Sequence, residues 1–106
     1  MQGFVFFIIK LLIIYLKGSF ILRAKRINSK LNVIGNNVKN YRTKLGYTQQ
    51  ELCDKLDLYG LNLYHSDIYL IEYGKRIVRD YEAFVLAKIF GISLDKLYEG
   101  VESELN

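Results

Sequence analysis

Side chains that could act as nucleophiles or metal ligands are few in this chain. His65 is the only histidine and Cys53 the only cysteine, so no Cys/His cluster with ligand spacing exists. A metal site needs several such ligands, and nucleophilic catalysis needs a base held in place by a third group. The sequence therefore predicts no catalytic residue, no metal and no other cofactor, which argues against an enzyme. A lone cysteine also cannot form an internal disulfide, which favours the reducing cytoplasm.

Lysine and arginine are the remaining groups that could bind a charged partner, and they are unevenly distributed. The net charge is +4, with six Lys/Arg and no acid in residues 1–33, and nine Lys/Arg against eleven acids in residues 34–106. Contact between the second part and a polyanion must therefore come from local clusters. Two such clusters are Lys39, Arg42 and Lys44, and Lys75, Arg76 and Arg79.

The elements that position these groups are predicted to be five short helices between residues 34 and 100, which makes the fold all-α. Proline is absent, and apolar residues recur every three or four positions from Ile34. Gly46 ends the first helix, and Thr48 with Glu51 forms a capping box that begins the second. Cys53 is expected in the core beside the buried stripe of this second helix.

A longer turn around Gly60 follows the second helix. The third helix is expected to begin near Leu63 with Asn62 as its cap, and to bury Tyr64. Asp80 and Ser93 are predicted to cap the fourth and fifth helices, which end at Gly91 and Gly100. Residues 101–106 are expected to be a frayed tail.

Three strings in register resemble one family. They are R-T-K-L-G-Y-T-Q-Q-E-L from Arg42, I-Y-L-I-E-Y-G-K-R from Ile68, and D-Y-E-A-F-V-L-A-K-I-F-G-I-S-L-D-K-L from Asp80. In this order they resemble the phage repressor and Cro type helix-turn-helix family, also called the xenobiotic response element family. The resemblance covers about two thirds of the chain. It implies a compact five-helix, lambda-repressor-like domain that binds double-stranded DNA as a transcriptional regulator, a repressor for example, commonly as a homodimer.

The resemblance also implies roles for single residues. The third helix would enter the major groove, with His65, Ser66 and Tyr69 facing the base edges. An ion pair between Arg42 and Glu72 would hold that helix against the first one. Residues implied to contact the DNA backbone are Lys39, Thr48, Gln49, Lys75, Arg76 and Arg79.

Each of these roles has an alternative in ordinary structure. His65 is also suited to a polar position near a helix start, Ser66 to a helix cap, and Tyr69 to covering the core. The basic stretch from Lys75 to Arg79 is also compatible with a solvated loop, although Gly-Lys-Arg directly after the third helix favours phosphate contact. The sequence also departs from the family: the turn before the third helix is about five residues longer than usual, and Asp67 places a negative charge beside the base-contacting positions.

Residues 1–30 form an apolar and basic N-terminal segment ahead of the domain at residues 31–100. Their apolar run from Phe4 to Leu16 reaches Leu22 only if Lys10, Lys17 and Gly18 are accepted within it. About twenty apolar residues are needed to cross a bilayer. Three interpretations remain open: a membrane anchor through residues 1–22 with the domain on the cytoplasmic side, an apolar arm packed on the domain or on a second copy, or an upstream start codon chosen in error.

Three functional hypotheses follow from the sequence. The first is a sequence-specific DNA-binding regulator in the cytoplasm that acts as a dimer on a palindromic site. The second is a protein-interaction module, antitoxin-like for example, that has this fold without DNA binding, which the net negative charge of residues 34–106 favours. The third is a regulator of the first kind that is tethered to a membrane.

Overall fold

The computed structural model describes residues 3–10 and 26–105. Residues 3–10 are helical. Most of the N-terminal segment for which an anchor, an arm or a false start was considered lies outside the described residues. Among the residues described, no helix combines the length and the apolar character needed to cross a bilayer.

All regular structure in residues 26–105 is helical, as the sequence predicted. No strand occurs among the described residues, which contain only an isolated bridge between Ile27 and Lys30. The helices are α1 (Gly35–Lys44), α2 (Gln49–Asp57), α3 (His65–Glu72), α4 (Asp80–Phe90) and α5 (Leu94–Leu97), followed by a 3-10 turn (Val101–Glu104).

Two of the predicted helix starts have the expected hydrogen bonds. The Glu51 amide donates to Thr48 Oγ1 at 3.0 Å, and the Thr48 amide donates to Glu51 Oε1 at 3.3 Å, which completes the capping box of α2. At α5, the Lys96 amide donates to Ser93 Oγ at 3.2 Å. Each bond satisfies an amide that the first turn of a helix leaves without a partner.

The start of α3 differs from the prediction. The helix begins at His65, two residues after the expected Leu63, and the side chain that caps it is Asp67, not Asn62. Asp67 Oδ2 accepts from the Tyr64 amide at 2.8 Å. Tyr64 was expected in the core but is 76% exposed. The turn after α2 therefore continues further than the apolar pattern indicated, because Leu61 and Leu63 pack against the core before the helix begins.

The core lies between α1, α2, α3 and α4, and it is apolar. Its largest fully buried side chains are Ile34, Val38, Leu52, Leu56, Ile68, Ile71, Leu86 and Leu97. Cys53 belongs to this core, as predicted. Burial, with a further contribution from the nearby carboxylates of Asp54, Asp67 and Asp57, raises the pKa of its thiol to about 11. At neutral pH Cys53 is therefore an unreactive apolar residue.

Residues on both sides of the predicted boundaries belong to the folded unit. Residues 27–30, which the sequence assigned to the N-terminal segment, make a tight turn held by a pair of backbone hydrogen bonds between Ile27 and Lys30. Asn28 Nδ2 donates to Glu104 Oε2 at 3.1 Å, and Lys30 Nζ lies 3.3 Å from Glu104 Oε1. The expectation of a frayed tail is wrong for residues 101–104, because Val101 is buried and Glu104 is held by this turn.

The N-terminus of α1 lies directly against the end of α3. Asn32 joins them: its Oδ1 accepts from the Gly35 amide at 2.8 Å, and its Nδ2 donates to the Ile71 carbonyl at 3.0 Å. At Gly35, a Cβ would lie only 2.3 Å from the Ile71 carbonyl oxygen. Only glycine therefore permits this approach of the two helices.

We expect Gly35→Ala to lower the free energy of unfolding by about 2 kcal/mol, because the added methyl group forces α1 away from α3. Urea unfolding measures the change. Gly3→Ala is the matched control, since nothing lies within 4 Å of a Cβ added there. An unchanged unfolding midpoint for Gly35→Ala would contradict the close packing of α1 on α3.

Candidate nucleic-acid interface

One side of α3 faces solvent while the opposite side is fixed in the core. Ile68 and Ile71 are fully buried, whereas His65, Ser66 and Tyr69 are exposed. With 3.6 residues per turn, these three residues and Tyr73 span roughly 100° of the helix surface. We call them the α3 stripe. It is a continuous band of side chains that offers ring edges, hydroxyls and an imidazole.

The α3 stripe extends onto α1 through stacked side chains. The rings of Tyr69 and Tyr73 lie 4.6 Å apart, and Lys39 Nζ lies 5.4 Å from the centre of the Tyr73 ring. A cation this close to an aromatic face is attracted to it. Lys39 is therefore held at the border of the stripe, where it remains exposed.

A buried ion pair fixes the C-terminal end of α3. The pair predicted between Arg42 and Glu72 is present: the guanidinium donates to both Glu72 oxygens, with Nη2 at 3.0 Å from Oε1. Gln49 Nε2 donates to the same Oε1 at 3.2 Å, and Arg42 Nη1 donates to the Tyr47 carbonyl at 2.7 Å. Glu72 is 4% exposed. The end of α1, the start of α2 and the end of α3 are therefore joined through one carboxylate.

A second ion pair lies between α3 and α4. Arg76 Nη1 and Nη2 each donate to a Glu82 oxygen at 2.9 Å, and Arg76 Nε lies 3.6 Å from Asp67 Oδ1. By the helical period Glu72 lies beside one edge of the α3 stripe, whereas Asp67 lies about 100° beyond the other edge, toward buried Ile71, so the two ion pairs hold the helix from different sides. Arg76 was expected to contact phosphate, but its side chain is only 16% exposed and its guanidinium is committed to Glu82. Asp67, expected as a free negative charge, is a helix cap paired with Arg76.

Three other residues expected at the DNA backbone have exposed side chains. Lys75 follows α3 directly, and Arg79 is the residue before α4, where its side chain is 52% exposed with Nη1 3.9 Å from Glu82 Oε2. Thr48 is exposed at the start of α2. Gln49 is half-buried, with its amide on Glu72. Of the lysines and arginines predicted to contact the DNA backbone, Lys39, Lys75 and Arg79 are therefore the exposed ones, with Arg79 loosely paired to Glu82.

The ionisation of Glu82 reflects its surroundings. Burial opposes the charged form, but the hydrogen bonds from the Arg76 side chain and the Arg79 amide outweigh it, so the pKa of Glu82 lies below its ordinary value of 4.5. A carboxyl whose pKa falls on folding stabilises the fold above its unfolded pKa, and this contribution disappears as the pH falls through its folded pKa.

We therefore expect the melting temperature to decrease as the pH falls below about 4.5, with Glu82 as one cause. Glu82→Gln should lower the melting temperature at pH 7 and reduce the difference between pH 7 and pH 3. Calorimetry across that range tests this expectation. Glu99→Gln, in which an exposed carboxylate is changed, serves as the control. An unaltered pH dependence in Glu82→Gln would contradict the role assigned to the Arg76 pair.

Some residues of this surface were not identified from the sequence. Tyr64 was assigned to the core, and Glu82 was noted only as part of the D-Y-E string. The signal for Glu82 was its position as the third residue of a helix that begins after Arg79, where a carboxylate returns to cap the backbone. The Arg79 amide donates to Glu82 Oε1 at 2.9 Å in this way. For Asn32 the signal was an amide side chain three residues before the start of a helix.

Comparison with known proteins adds no family assignment. Neither a scan against protein-family models nor searches of curated proteins and of solved structures found a match to this chain.

Proposed function

We propose that this protein is a sequence-specific DNA-binding regulator of the phage repressor and Cro type, with a lambda-repressor-like domain that places α3 in the major groove. The observation that carries the proposal is the α3 stripe. It is exposed along the whole helix, the helix is held by the ion pairs of Glu72 and of Asp67, Lys39 borders the stripe at Tyr73, and Lys75 and Arg79 are exposed on the segment that follows α3. A rigid helix with polar side chains outward and cations at its edges fits major-groove recognition.

The position of each residue would determine which part of the DNA it contacts. His65, Ser66 and Tyr69 would contact base edges, because they project from the first turns of α3, the part that enters deepest. Lys39, Lys75 and Arg79 would contact phosphates. Thr48 at the start of α2 would present the helix N-terminus to a phosphate. Gln49 orients Glu72 through its present hydrogen bond. It would contact the DNA backbone only if that hydrogen bond were broken. We assign Arg76 to the fold and not to phosphate.

A homodimer is the second part of the proposal. Tyr81, Phe84 and Leu94 expose large apolar areas on α4 and α5. Phe84 and Leu94 line two adjoining surface depressions, so the exposed apolar area is continuous. An apolar surface of this kind favours contact with protein, and a second copy with the same surface would give a two-fold arrangement of the two α3 helices. Such a dimer would bind a palindromic site.

Selection of bound DNA from a random pool with the full chain tests this function. We expect a palindromic sequence whose half-sites are centred about 34 Å apart, or a multiple of that distance. In a second selection with His65→Ala, the preference at one base pair of each half-site should relax, at a cost of about 1–3 kcal/mol in discrimination. The proposal of sequence-specific recognition would be overturned if the native chain selected unrelated sequences and if His65→Ala lowered the affinity for all of them equally.

A protein-interaction module is the second candidate, and the apolar area around Phe84 favours it because that area would also accept a different chain. Residues 34–106 have more acids than bases, which weakens the general attraction to DNA. Purification of the full chain with a stoichiometric protein partner and no nucleic acid, together with failure of the DNA selection, would support this candidate over the first.

A further inference from the structure

The helix at residues 3–10 presents apolar side chains on all of its faces. The residues from Phe4 to Ile9 are all large and apolar, and each is between 41% and 67% exposed. A helix that is hydrophobic all round is suited to an apolar environment and not to water. The described part of the chain therefore carries a segment that needs a partner to cover it.

The charge of this part of the chain indicates the chemistry of that partner. The apolar run from Phe4 to Leu16 contains one charged residue, Lys10, and residues 17–33 add five more Lys/Arg and no acid. Apolar side chains next to basic residues are the combination that binds an anionic bilayer: the rings and aliphatic groups enter the acyl boundary, and the basic residues meet the lipid phosphates. Lys10 lies inside this run, and a charged residue within a bilayer-spanning segment is costly, which favours a position at the bilayer surface.

Two other occupants fit these observations less well. A second copy would bring together two segments that both carry a charge of +6 and no acid, which opposes their association. DNA would satisfy the basic residues but would leave the exposed phenylalanine and isoleucine side chains without apolar cover. A lipid surface accommodates both features.

We infer that the helix at residues 3–10 binds the surface of an anionic lipid bilayer, with residues 4–9 inserted at the headgroup boundary and Lys10 at the phosphates. The folded domain at residues 26–105 is then held beside the membrane. This inference is independent of DNA binding, because it uses none of the residues of the α3 stripe.

Flotation of the full chain with vesicles tests the inference. We expect the protein to float with vesicles of phosphatidylglycerol and phosphatidylcholine, and much less with phosphatidylcholine alone. Lys10→Gln should weaken binding to the anionic vesicles about five-fold, which corresponds to one basic residue near a charged surface. Phe6→Asp combined with Phe7→Asp should abolish flotation. Leu58→Asp combined with Leu105→Asp changes two apolar residues of the folded domain that are 84% and 60% exposed. This matched control adds the same charge and should float as the native chain does.

Several results would overturn the inference. These are no flotation of the native chain with anionic vesicles, unchanged flotation of the Phe6→Asp/Phe7→Asp variant, or equal loss in the Leu58→Asp/Leu105→Asp control. A change of that double variant from dimer to monomer in lipid-free buffer, without vesicle binding by the native chain, would instead identify a second copy as the occupant. Gel-shift measurement of the same variants keeps the two proposals separate, because DNA binding should survive Phe6→Asp/Phe7→Asp whether or not flotation does.

Discussion

Replacement of Lys39, Lys75 and Arg79 together by glutamine is expected to weaken binding to DNA of every sequence by about 100-fold at 0.15 M salt. Each cation that neutralises a phosphate releases counterions, and the logarithm of affinity falls with the logarithm of salt concentration by about 0.9 per phosphate. Loss of three contacts should therefore also reduce the salt slope by about 2.7. Fluorescence anisotropy with a labelled duplex, measured at several salt concentrations, gives both quantities.

The matched control removes the same charge from elsewhere on the domain. Lys55, Lys88 and Lys96 lie on α2, α4 and α5, where Lys55 and Lys88 stack over Tyr47 and Phe84. Their replacement by glutamine changes the net charge equally but should leave the salt slope within about one unit of the native value. If both triple variants lose affinity and slope alike, only the total charge matters, and the surface around the α3 stripe has no special role.

Local sequence signals were sufficient for most helices of this fold. Thr48 with Glu51, and Ser93, specify helix starts through hydrogen bonds that reach only three residues along the chain. A bond of this length is the same in any tertiary context, so the sequence alone predicts it. The start of α3 was predicted wrongly because Leu61 and Leu63 pack against the core before the helix begins, and spacing alone does not distinguish this from a first helical turn.

In the candidate site, too, the local helical pattern predicted some features and the folded structure decided others. The helical period placed His65, Ser66 and Tyr69 on the side of α3 opposite Ile68 and Ile71, and the structure exposes the first three and buries the other two. The ion pair between Arg76 and Glu82 could not be predicted from sequence spacing, because a basic residue that follows a helix gives the same sequence pattern whether its side chain is free or paired. The conformation of the loop between α3 and α4, which brings Arg76 to the first turn of α4, makes that pair.

Removal of the carboxylate at position 72 is expected to cause the largest loss of stability. Glu72→Ala leaves the Arg42 guanidinium, 11% exposed in its side chain, with the Tyr47 carbonyl as its remaining partner. Its hydrogen bond with Glu72 raises the pKa of Arg42, although burial lowers it, so the guanidinium cannot avoid the cost of burial by losing its proton. We expect the free energy of unfolding to fall by about 4 kcal/mol, as urea unfolding would measure.

The double variant Arg42→Met/Glu72→Leu distinguishes the cost of an unpaired charge from the value of the pair itself. Two apolar side chains of similar volume leave no buried charge, and such replacements often leave stability unchanged or increase it. We therefore expect the double variant to lie much closer to the native protein than Glu72→Ala does. A loss of less than about 1 kcal/mol in Glu72→Ala would mean that water reaches Arg42. The pair would then not hold α3 against α1, and the rigidity proposed for the α3 stripe would have to come from burial of Ile68 and Ile71 and from the contacts of Asn32 and Arg76 with α3.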